Sequence, residues 1–146
     1  MAELFGFATA DAAIFGPFLA MMVLTLVVWI VMYVRRIRYV MQHRIHPQTM
    51  TTPERLAELI PEEIALAANN LKNLFELPVL FYAMCLYLYV TGSTDTAYLV
   101  LAWAFVVLRA AHSIVHITVN IVMLRFYLYL AASVAFWIML IRAVFA

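Results

Sequence analysis

The chain has 146 residues, of which 68% are hydrophobic and only 12% are charged, and its formal net charge is +1. A soluble domain is about half apolar and about a quarter charged, so this composition excludes an ordinary water-soluble core. The small net charge provides no general attraction for nucleic acid, and the single cysteine, Cys85, can form neither an internal disulfide nor a thiolate metal site. Lipid must therefore be the solvent for most of the surface.

Hydropathy along the chain predicts an all-α integral membrane protein, with four transmembrane helices in one domain that covers residues 1–146. A bilayer core of about 30 Å requires about 20 apolar residues in a helix. The first predicted span is 12–34, and a polar connection follows it, with a short helix that begins at Thr52-Pro53. The second span begins at Pro61, has acids in its first turn, and is predicted to continue to Val90 as one helix.

The remaining part of the chain must contain two spans. Residues 97–146 include no proline or glycine, and as one helix they would extend about 75 Å, more than twice the bilayer core. The polar residues nearest the middle of this stretch are Asn120 and Arg125. We therefore predict a tight turn near 119–124, with the third span at 97–119 and the fourth at 124–145.

The distribution of basic residues predicts the orientation in the membrane. Residues 1–10 and the turn from Thr91 to Asp95 have no lysine or arginine, whereas the first connection has Arg35, Arg36, Arg38, Arg44 and Arg55. The positive-inside rule places that connection in the cytoplasm and both termini outside. Arg142 lies near an outer end and is expected to snorkel to the interface.

Ionisable residues inside the spans suggest a functional site, because a charge at the bilayer centre costs about 2.5–3.5 kcal/mol on insertion scales. In the second span, Asn69, Asn73 and Glu76 are spaced i, i+4, i+7 and share one helical face. Lys72 and Glu76 also form an i, i+4 pair, and Pro78 lies just beyond them. This face of the second span is the first part of the predicted site.

The third and fourth spans add polar residues at a similar depth. The third carries a polar stripe, and the fourth begins with a cation that an aromatic hydroxyl follows one turn later: Arg109, His112, His116 and Asn120, then Arg125 and Tyr129. Arg109 is the deepest, near mid-span, and Glu76 is its expected counter-ion. Three helices thus direct cations, amides and one carboxylate to one level of the membrane, and this convergence favours a binding site.

Each residue also has a structural interpretation. Asn73 or Glu76 alone is equally typical of hydrogen bonding between helices, and Lys72 alone is typical of a snorkelling anchor, as is a lone Arg125. A single interior histidine is more often structural than functional. His112 and His116 are spaced for metal binding, but no third ligand is evident in the sequence. Only the combination favours a ligand site over these alternatives.

At these residues the sequence resembles the MAPEG superfamily, the membrane-associated proteins in eicosanoid and glutathione metabolism, and its bacterial members in particular. One element, Asn-x-x-Glu followed by proline, is present from Asn73 to Pro78, and another, Arg-x-x-His-[Ser/Thr], is present from Arg109 to Ser113. Arg125 and Tyr129 keep the spacing of the prostaglandin E synthase branch. The resemblance covers nearly the whole chain.

The resemblance implies a homotrimer that binds glutathione, as co-substrate, between neighbouring subunits in the cytoplasmic half of the membrane. The contacts carried over by position are Arg36 or Arg38, Lys72, Asn73, Glu76, Arg109, His112, His116 and Tyr129. Arg125 is the implied catalytic residue, because a fixed cation in a low dielectric lowers the pKa of a thiol. The implied function is a transferase or peroxidase that acts on lipophilic electrophiles or hydroperoxides.

Three positions depart from the family pattern. Asn69 stands where many catalytic members have arginine, His116 where the eukaryotic enzymes have tyrosine, and Phe126 where the prostaglandin E synthase branch has serine. These departures keep open a non-catalytic member that binds or presents lipid, like the lipoxygenase-activating protein. A small transporter is disfavoured, since the ionisable residues cluster at one depth and the spans lack an evident repeat. The expected location is a bacterial inner membrane.

Overall fold

The computed structural model describes residues 11–145, which form helices and no strands. The α-helices are α1 (Phe15–Gln42), α2 (Pro53–Leu59), α3 (Glu62–Leu74), α4 (Leu77–Thr91), α5 (Thr96–Ile117) and α6 (Val122–Phe145), and short 3₁₀ turns lie at Asp11–Ile14 and Pro47–Thr49. Four helical segments are long and apolar enough to cross a membrane: Asp11–Gln42, Glu62–Thr91, Thr96–Ile117 and Val122–Phe145. The predicted all-α fold with four spans is confirmed. The orientation predicted for the N-terminus concerns residues 1–10, which lie outside the described part.

Helix α1 is longer than the sequence predicted. It continues beyond Val34 through the arginines at 35, 36 and 38 and ends only at Gln42. No glycine or proline follows Pro17 within this helix, so nothing in the chain ends it where its apolar run ends. Arg36 and Arg38 therefore project from a helix rather than from a polar connection, which corrects the predicted boundary.

The second span is broken, which corrects the prediction of one continuous helix. Helix α3 ends at Leu74 and α4 begins at Leu77, and Glu76 between them has φ −95° and ψ −107°. Pro78 explains the break, because it has no N–H to donate and its ring clashes with the carbonyl one turn earlier. In a continuous helix the carbonyl of Asn73 would accept from the N–H of Leu77. The break leaves this carbonyl available to another part of the protein.

The reversal between the last two spans is tight. Helix α5 ends at Ile117 and α6 begins at Val122, so the chain turns at 118–121. Asn120 has φ +50°, a left-handed conformation that asparagine tolerates better than most residues. Its N–H donates to the carbonyl of Val115 at 2.8 Å. The turn thus places the side chain of Asn120 directly before the first turn of α6.

The interior of the bundle is apolar, and so is most of its exterior. Phe81 of α4 and Phe105 of α5 stack at the centre with ring centroids 4.5 Å apart, and both are fully buried, as is Met21 of α1. Large apolar side chains such as Val23 and Ile138 remain exposed on the outer faces of the spans. An outer surface of this kind is suited to lipid rather than water.

The end of the bundle that carries the α4–α5 loop is held by polar contacts. Asp95 caps α5 by accepting from the N–H of Tyr98 at 2.9 Å, and it accepts two hydrogen bonds from Arg142, with Nη1 at 2.7 Å. The Arg142 guanidinium lies 4.4 Å from the centroid of the Tyr98 ring. Its hydrogen bond lowers the pKa of the Asp95 carboxyl to about 2. Arg142 thus ties α6 to the start of α5, a contact that the sequence analysis did not predict.

Candidate functional site

Two adjoining cavities lie between α3, the break before α4, α5 and the start of α6. Their volumes are about 320 and 410 Å³, and both are lined by Asn73, Glu76, Val122 and Arg125. Because they share these walls, we treat them together and call them the polar cavity. Its size falls in the range of about 300–1,000 Å³ that is usual for small-molecule sites.

The polar cavity brings together most of the residues that the sequence selected. The first part is also lined by His112, Phe126 and Tyr129, and the second by Glu62, Leu66, Asn69, Lys72, His116 and Asn120. The predicted site residues that line it are Lys72, Asn73, Glu76, His112, His116, Arg125 and Tyr129. Three helices, α3, α5 and α6, contribute to one site together with the break after α3 and the turn before α6.

One residue of the cavity was missed by the sequence analysis. Glu62 lines the second part of the cavity and gives it a second carboxylate, at the other end of α3 from Glu76. It lies in the first turn of α3, where a carboxylate interacts favourably with the helix dipole. In the sequence analysis, Glu62 was explained by this interaction alone. Its spacing of i, i+7 and i+11 to Asn69 and Asn73 could have indicated the shared face.

Arg125 is held at the cavity by the turn that precedes α6. Its Nη1 donates to Oδ1 of Asn120 at 2.6 Å. Among residues 11–145, Arg125 has no carboxylate within ion-pair distance, and the same is true of Lys72. Glu76 likewise has no cationic partner among the described residues. The cavity therefore presents two unpaired cations and an unpaired carboxylate to a ligand.

Two buried histidines complete the wall on the side of α5. His112 and His116 are 3% and 5% exposed, and their ring centroids lie 5.6 Å apart. His112 Nδ1 lies 3.0 Å from the backbone oxygen of Arg125, whereas Nε2 of His112 and Nδ1 of His116 are buried without a hydrogen-bond partner among the described residues. Buried polar atoms are seldom left unpaired, so these two nitrogens are candidates for hydrogen bonds to a bound ligand.

Arg109 lies behind the polar cavity rather than in its wall. It is fully buried, its Nη2 donates to the carbonyl of Asn73 at 2.6 Å, and its Cζ lies 5.1 Å from the centroid of the Tyr129 ring. No ion pair between Arg109 and Glu76 is present in the described structure, which corrects the expected counter-ion. The guanidinium of Arg109 instead donates to the carbonyl of Asn73, which the helix break leaves free.

The arginines at the end of α1 do not reach the polar cavity within one chain. Arg36 lines a separate cavity of about 430 Å³ between α1, α2 and α3, which meets the polar cavity at Lys72. Arg38 is exposed and lines neither cavity. Arg35, which was not selected as a site residue, donates from Nη1 to the carbonyl of Ile117 at 2.8 Å and joins α1 to the end of α5.

A metal centre is not evident in the described structure. Among residues 11–145, no group of three or more histidine, cysteine, aspartate or glutamate side chains is placed to hold an ion. The pair His112 and His116 has no third ligand of this kind near it. The chemistry of the cavity is therefore argued from its charged and hydrogen-bonding groups.

The fold and the cavity define an integral membrane protein of four helices with a polar, charged site at the end where α5 turns into α6. A family model described as the MAPEG family matches residues 14–145, and the chain belongs to this family. The family includes glutathione-dependent transferases and also other members, and its members generally use glutathione. Searches of curated proteins and of solved structures gave no significant match.

Proposed function

We propose that this protein is a glutathione-dependent membrane transferase or peroxidase that acts on lipophilic electrophiles or hydroperoxides. The observation that supports this most directly is the wall of the polar cavity, where the fixed cation Arg125 lies beside unpaired Lys72 and Glu76. Family membership alone does not establish catalysis, because function belongs to the site rather than to the fold.

The chemistry of the cavity fits the functional groups of glutathione. The tripeptide has two carboxylates, one ammonium group and one thiol. Lys72 suits a carboxylate and Glu76 suits the ammonium group, while Asn73 can hydrogen-bond the peptide backbone. The unpaired nitrogens of His112 and His116 offer two further hydrogen bonds.

One requirement of glutathione is not met within a single chain. Lys72 can pair with only one of the two carboxylates of glutathione. The second carboxylate needs another cation, because Arg125 interacts with the thiol in this proposal. In a trimer, which is the typical assembly of the family, an arginine from the end of α1 of a neighbouring subunit, Arg36 or Arg38, would supply that cation. This arrangement places glutathione between subunits.

Arg125 has the catalytic role in this proposal. Its hydrogen bond to Asn120 fixes the guanidinium at the cavity, and within the membrane the local dielectric is lower than in water. A fixed cation in such an environment favours the charged form of a nearby thiol, and the resulting thiolate is the nucleophile. The electrophile would arrive through the lipid, so no serine or cysteine nucleophile of the chain is required.

The proposed location is the inner membrane of a bacterium, with the connection between α1 and α3 in the cytoplasm. Arginines are concentrated at this end of α1 and in the connection, and the positive-inside rule favours the cytoplasmic side for them. Arg35 contacts the end of α5, so the polar cavity lies toward the same end of the bundle. Glutathione would therefore enter from the cytoplasm.

A second candidate is a non-catalytic member that binds or presents lipid. Phe126 favours it, because this exposed aromatic side chain lines the cavity directly after Arg125 and makes that wall more apolar. Asn69 and His116, the other departures from the family pattern, also line the cavity. This alternative predicts that the protein binds lipid without activating the thiol of glutathione.

The test is a glutathione titration of the purified, detergent-solubilised protein at neutral pH, followed by the ultraviolet absorbance of the thiolate. The proposal predicts a saturable rise with glutathione and none with S-methylglutathione, which lacks an ionisable thiol. Arg125→Ala is expected to abolish the rise while the oligomer remains intact. If glutathione binds but no thiolate forms, Arg125 does not stabilise the thiolate. If glutathione does not bind at all, the lipid-binding alternative is favoured.

A further inference from the structure

We infer that His112 accepts the proton of the glutathione thiol at Nε2 and later returns it to the group that leaves the electrophile. The inference rests on the proposed function, because it requires a thiol in the polar cavity. It adds a proton acceptor to a mechanism in which Arg125 alone would supply only charge stabilisation.

The tautomer of His112 follows from its hydrogen bond. Nδ1 lies 3.0 Å from the backbone oxygen of Arg125. A carbonyl oxygen can only accept, so Nδ1 must carry the proton and donate it. In a neutral imidazole the other nitrogen then carries a lone pair, which makes Nε2 an acceptor.

The free acceptor belongs to a residue that lines the polar cavity. Nε2 is buried and has no partner among the described residues, and His112 lines the first part of the polar cavity with Arg125 and Glu76. Of the donors on glutathione, the ammonium group is matched by Glu76 and the peptide N–H groups can donate to the side chain of Asn73, so we assign the thiol to Nε2. Because one residue, Arg125, both anchors the imidazole and supplies the cation, the acceptor and the stabilising charge lie at the same wall.

The proton transfer takes place among several charged groups but leaves the net charge of the cavity unchanged. The groups that face His112 are Arg109 and His116 from α5, Arg125 and Tyr129 from α6, and Glu76 at the break before α4. Moving a proton from sulfur to Nε2 creates one negative and one positive charge together, so the net charge of the cavity does not change.

The proton and electrons balance over the reaction. The S–H bond breaks, its electron pair stays on sulfur, and the proton moves to Nε2 while Nδ1 keeps its hydrogen bond to the Arg125 carbonyl. The sulfur then forms a bond to the electrophilic carbon as the bond from that carbon to its heteroatom breaks. The departing heteroatom takes the proton from Nε2, and the ring returns to its neutral form.

The decisive measurement is the number of protons released per thiolate formed. Protein and glutathione are mixed at neutral pH in weak buffer with a pH indicator, and thiolate absorbance is recorded in the same experiment. Release caused by binding alone is measured with S-methylglutathione and subtracted. If Nε2 keeps the proton, the wild-type protein forms thiolate with far less than one proton released per thiolate.

Two variants identify the acceptor. In His112→Asn, the side-chain amide can still donate to the Arg125 carbonyl, but nothing replaces Nε2. We expect this variant to release one proton per thiolate and to form thiolate more slowly by a factor of about 100 or more. His116→Asn is the matched control, which is expected to weaken glutathione binding but to keep the proton count of the wild type.

The outcomes separate this inference from the proposed function. One proton released per thiolate in the wild-type protein overturns the role of His112 while leaving the activated thiol in place. A proton that is still retained in His112→Asn shows that another group, such as Glu76, is the acceptor, and this also overturns the inference. Absence of thiolate in the wild type contradicts the proposed function itself, and the inference falls with it.

Discussion

Arg109 donates a hydrogen bond of 2.6 Å to the backbone carbonyl of Asn73, at the point where the second membrane span breaks. The side chain comes from α5, and the carbonyl lies in the last turn of α3. A side chain from a different helix thus replaces the hydrogen bond that a continuous helix would have made to Leu77. The contact fixes the backbone that carries Asn73 and Glu76 against the polar cavity.

The first prediction is that Arg109→Met does not lower the melting temperature of the protein, although it weakens glutathione binding. The buried guanidinium has two nitrogens without partners among residues 11–145, Nε and Nη1. Removing a charge from mid-span stabilises the protein by about 2.5–3.5 kcal/mol, which offsets the cost of about 1–3 kcal/mol for leaving the Asn73 carbonyl unpaired. Glutathione binding suffers because Asn73 loses its support.

Arg35→Met is the matched control for this prediction. It also removes a hydrogen bond from a guanidinium to a carbonyl, in this case that of Ile117. Arg35 lies near the end of the bundle and is partly exposed, so its removal brings little relief from desolvation. Thermal unfolding in detergent should show a loss of stability for Arg35→Met only. An equal or larger loss for Arg109→Met would contradict the argument.

The second prediction concerns the hydrogen bond from Arg125 to Asn120. Asn120→Gly removes the acceptor, while glycine adopts the backbone angle of φ +50° without strain. The fold should therefore be retained. A less fixed guanidinium should stabilise thiolate less, and the pH midpoint of thiolate formation should rise by about one unit, which corresponds to about 1.4 kcal/mol.

Ultraviolet titration of the glutathione complex against pH measures this midpoint. Asn120→Asp keeps an oxygen acceptor at the same position and serves as the control for the hydrogen bond. The carboxylate should hold Arg125 at least as firmly as the amide does, although its charge competes with the thiolate. A midpoint that is unchanged in Asn120→Gly would show that the contact does not support Arg125.

The third prediction is that Glu76 recognises the ammonium group of glutathione. Glu76→Gln should weaken glutathione binding by about 10- to 100-fold, since a hydrogen bond to a charged group contributes about 1.5–3 kcal/mol. The matched ligand is a glutathione analogue that lacks the amino group. Calorimetric titration should show that Glu76→Gln binds this analogue as well as the wild type does. An equal loss of binding affinity for both ligands would show that Glu76 supports the cavity wall and does not recognise the ammonium group.

The fourth prediction concerns the ion pair of Asp95 and Arg142 at the opposite end of the bundle. The pKa of the Asp95 carboxyl is lowered from 3.8 to about 2, because Arg142 hydrogen-bonds its charged form. A carboxyl with a lowered pKa in the folded state stabilises the fold above pH 3.8 and loses this contribution as the pH falls toward 2. The melting temperature of the wild type should therefore fall through this window.

Asp95→Asn provides the comparison for this pH dependence. Asparagine can still cap α5 by accepting from Tyr98, but it carries no charge to pair with Arg142. Its melting temperature should be lower than that of the wild type at pH 5 and should change less between pH 4 and 2. Parallel curves for the two proteins would mean that the ion pair adds no pH-dependent stability.

The number and order of the spans were predictable because a bilayer imposes a length on every apolar helix. The main site residues were also predictable, since helical spacing places Asn73 with Glu76, and His112 with His116, on single faces. The charges at these positions are costly in lipid, which distinguishes them from the surrounding apolar residues.

The partners of the buried and terminal charges were not predictable in this way. The predicted partner of Arg109 was the carboxylate of Glu76. Arg109 instead donates to the carbonyl of Asn73, because a proline two residues after Glu76 breaks the helix and frees that oxygen. The pairing of Arg142 with Asp95 was likewise not predicted. Spacing along a helix determines which residues share a face, whereas the packing of different helices decides which donor meets which acceptor.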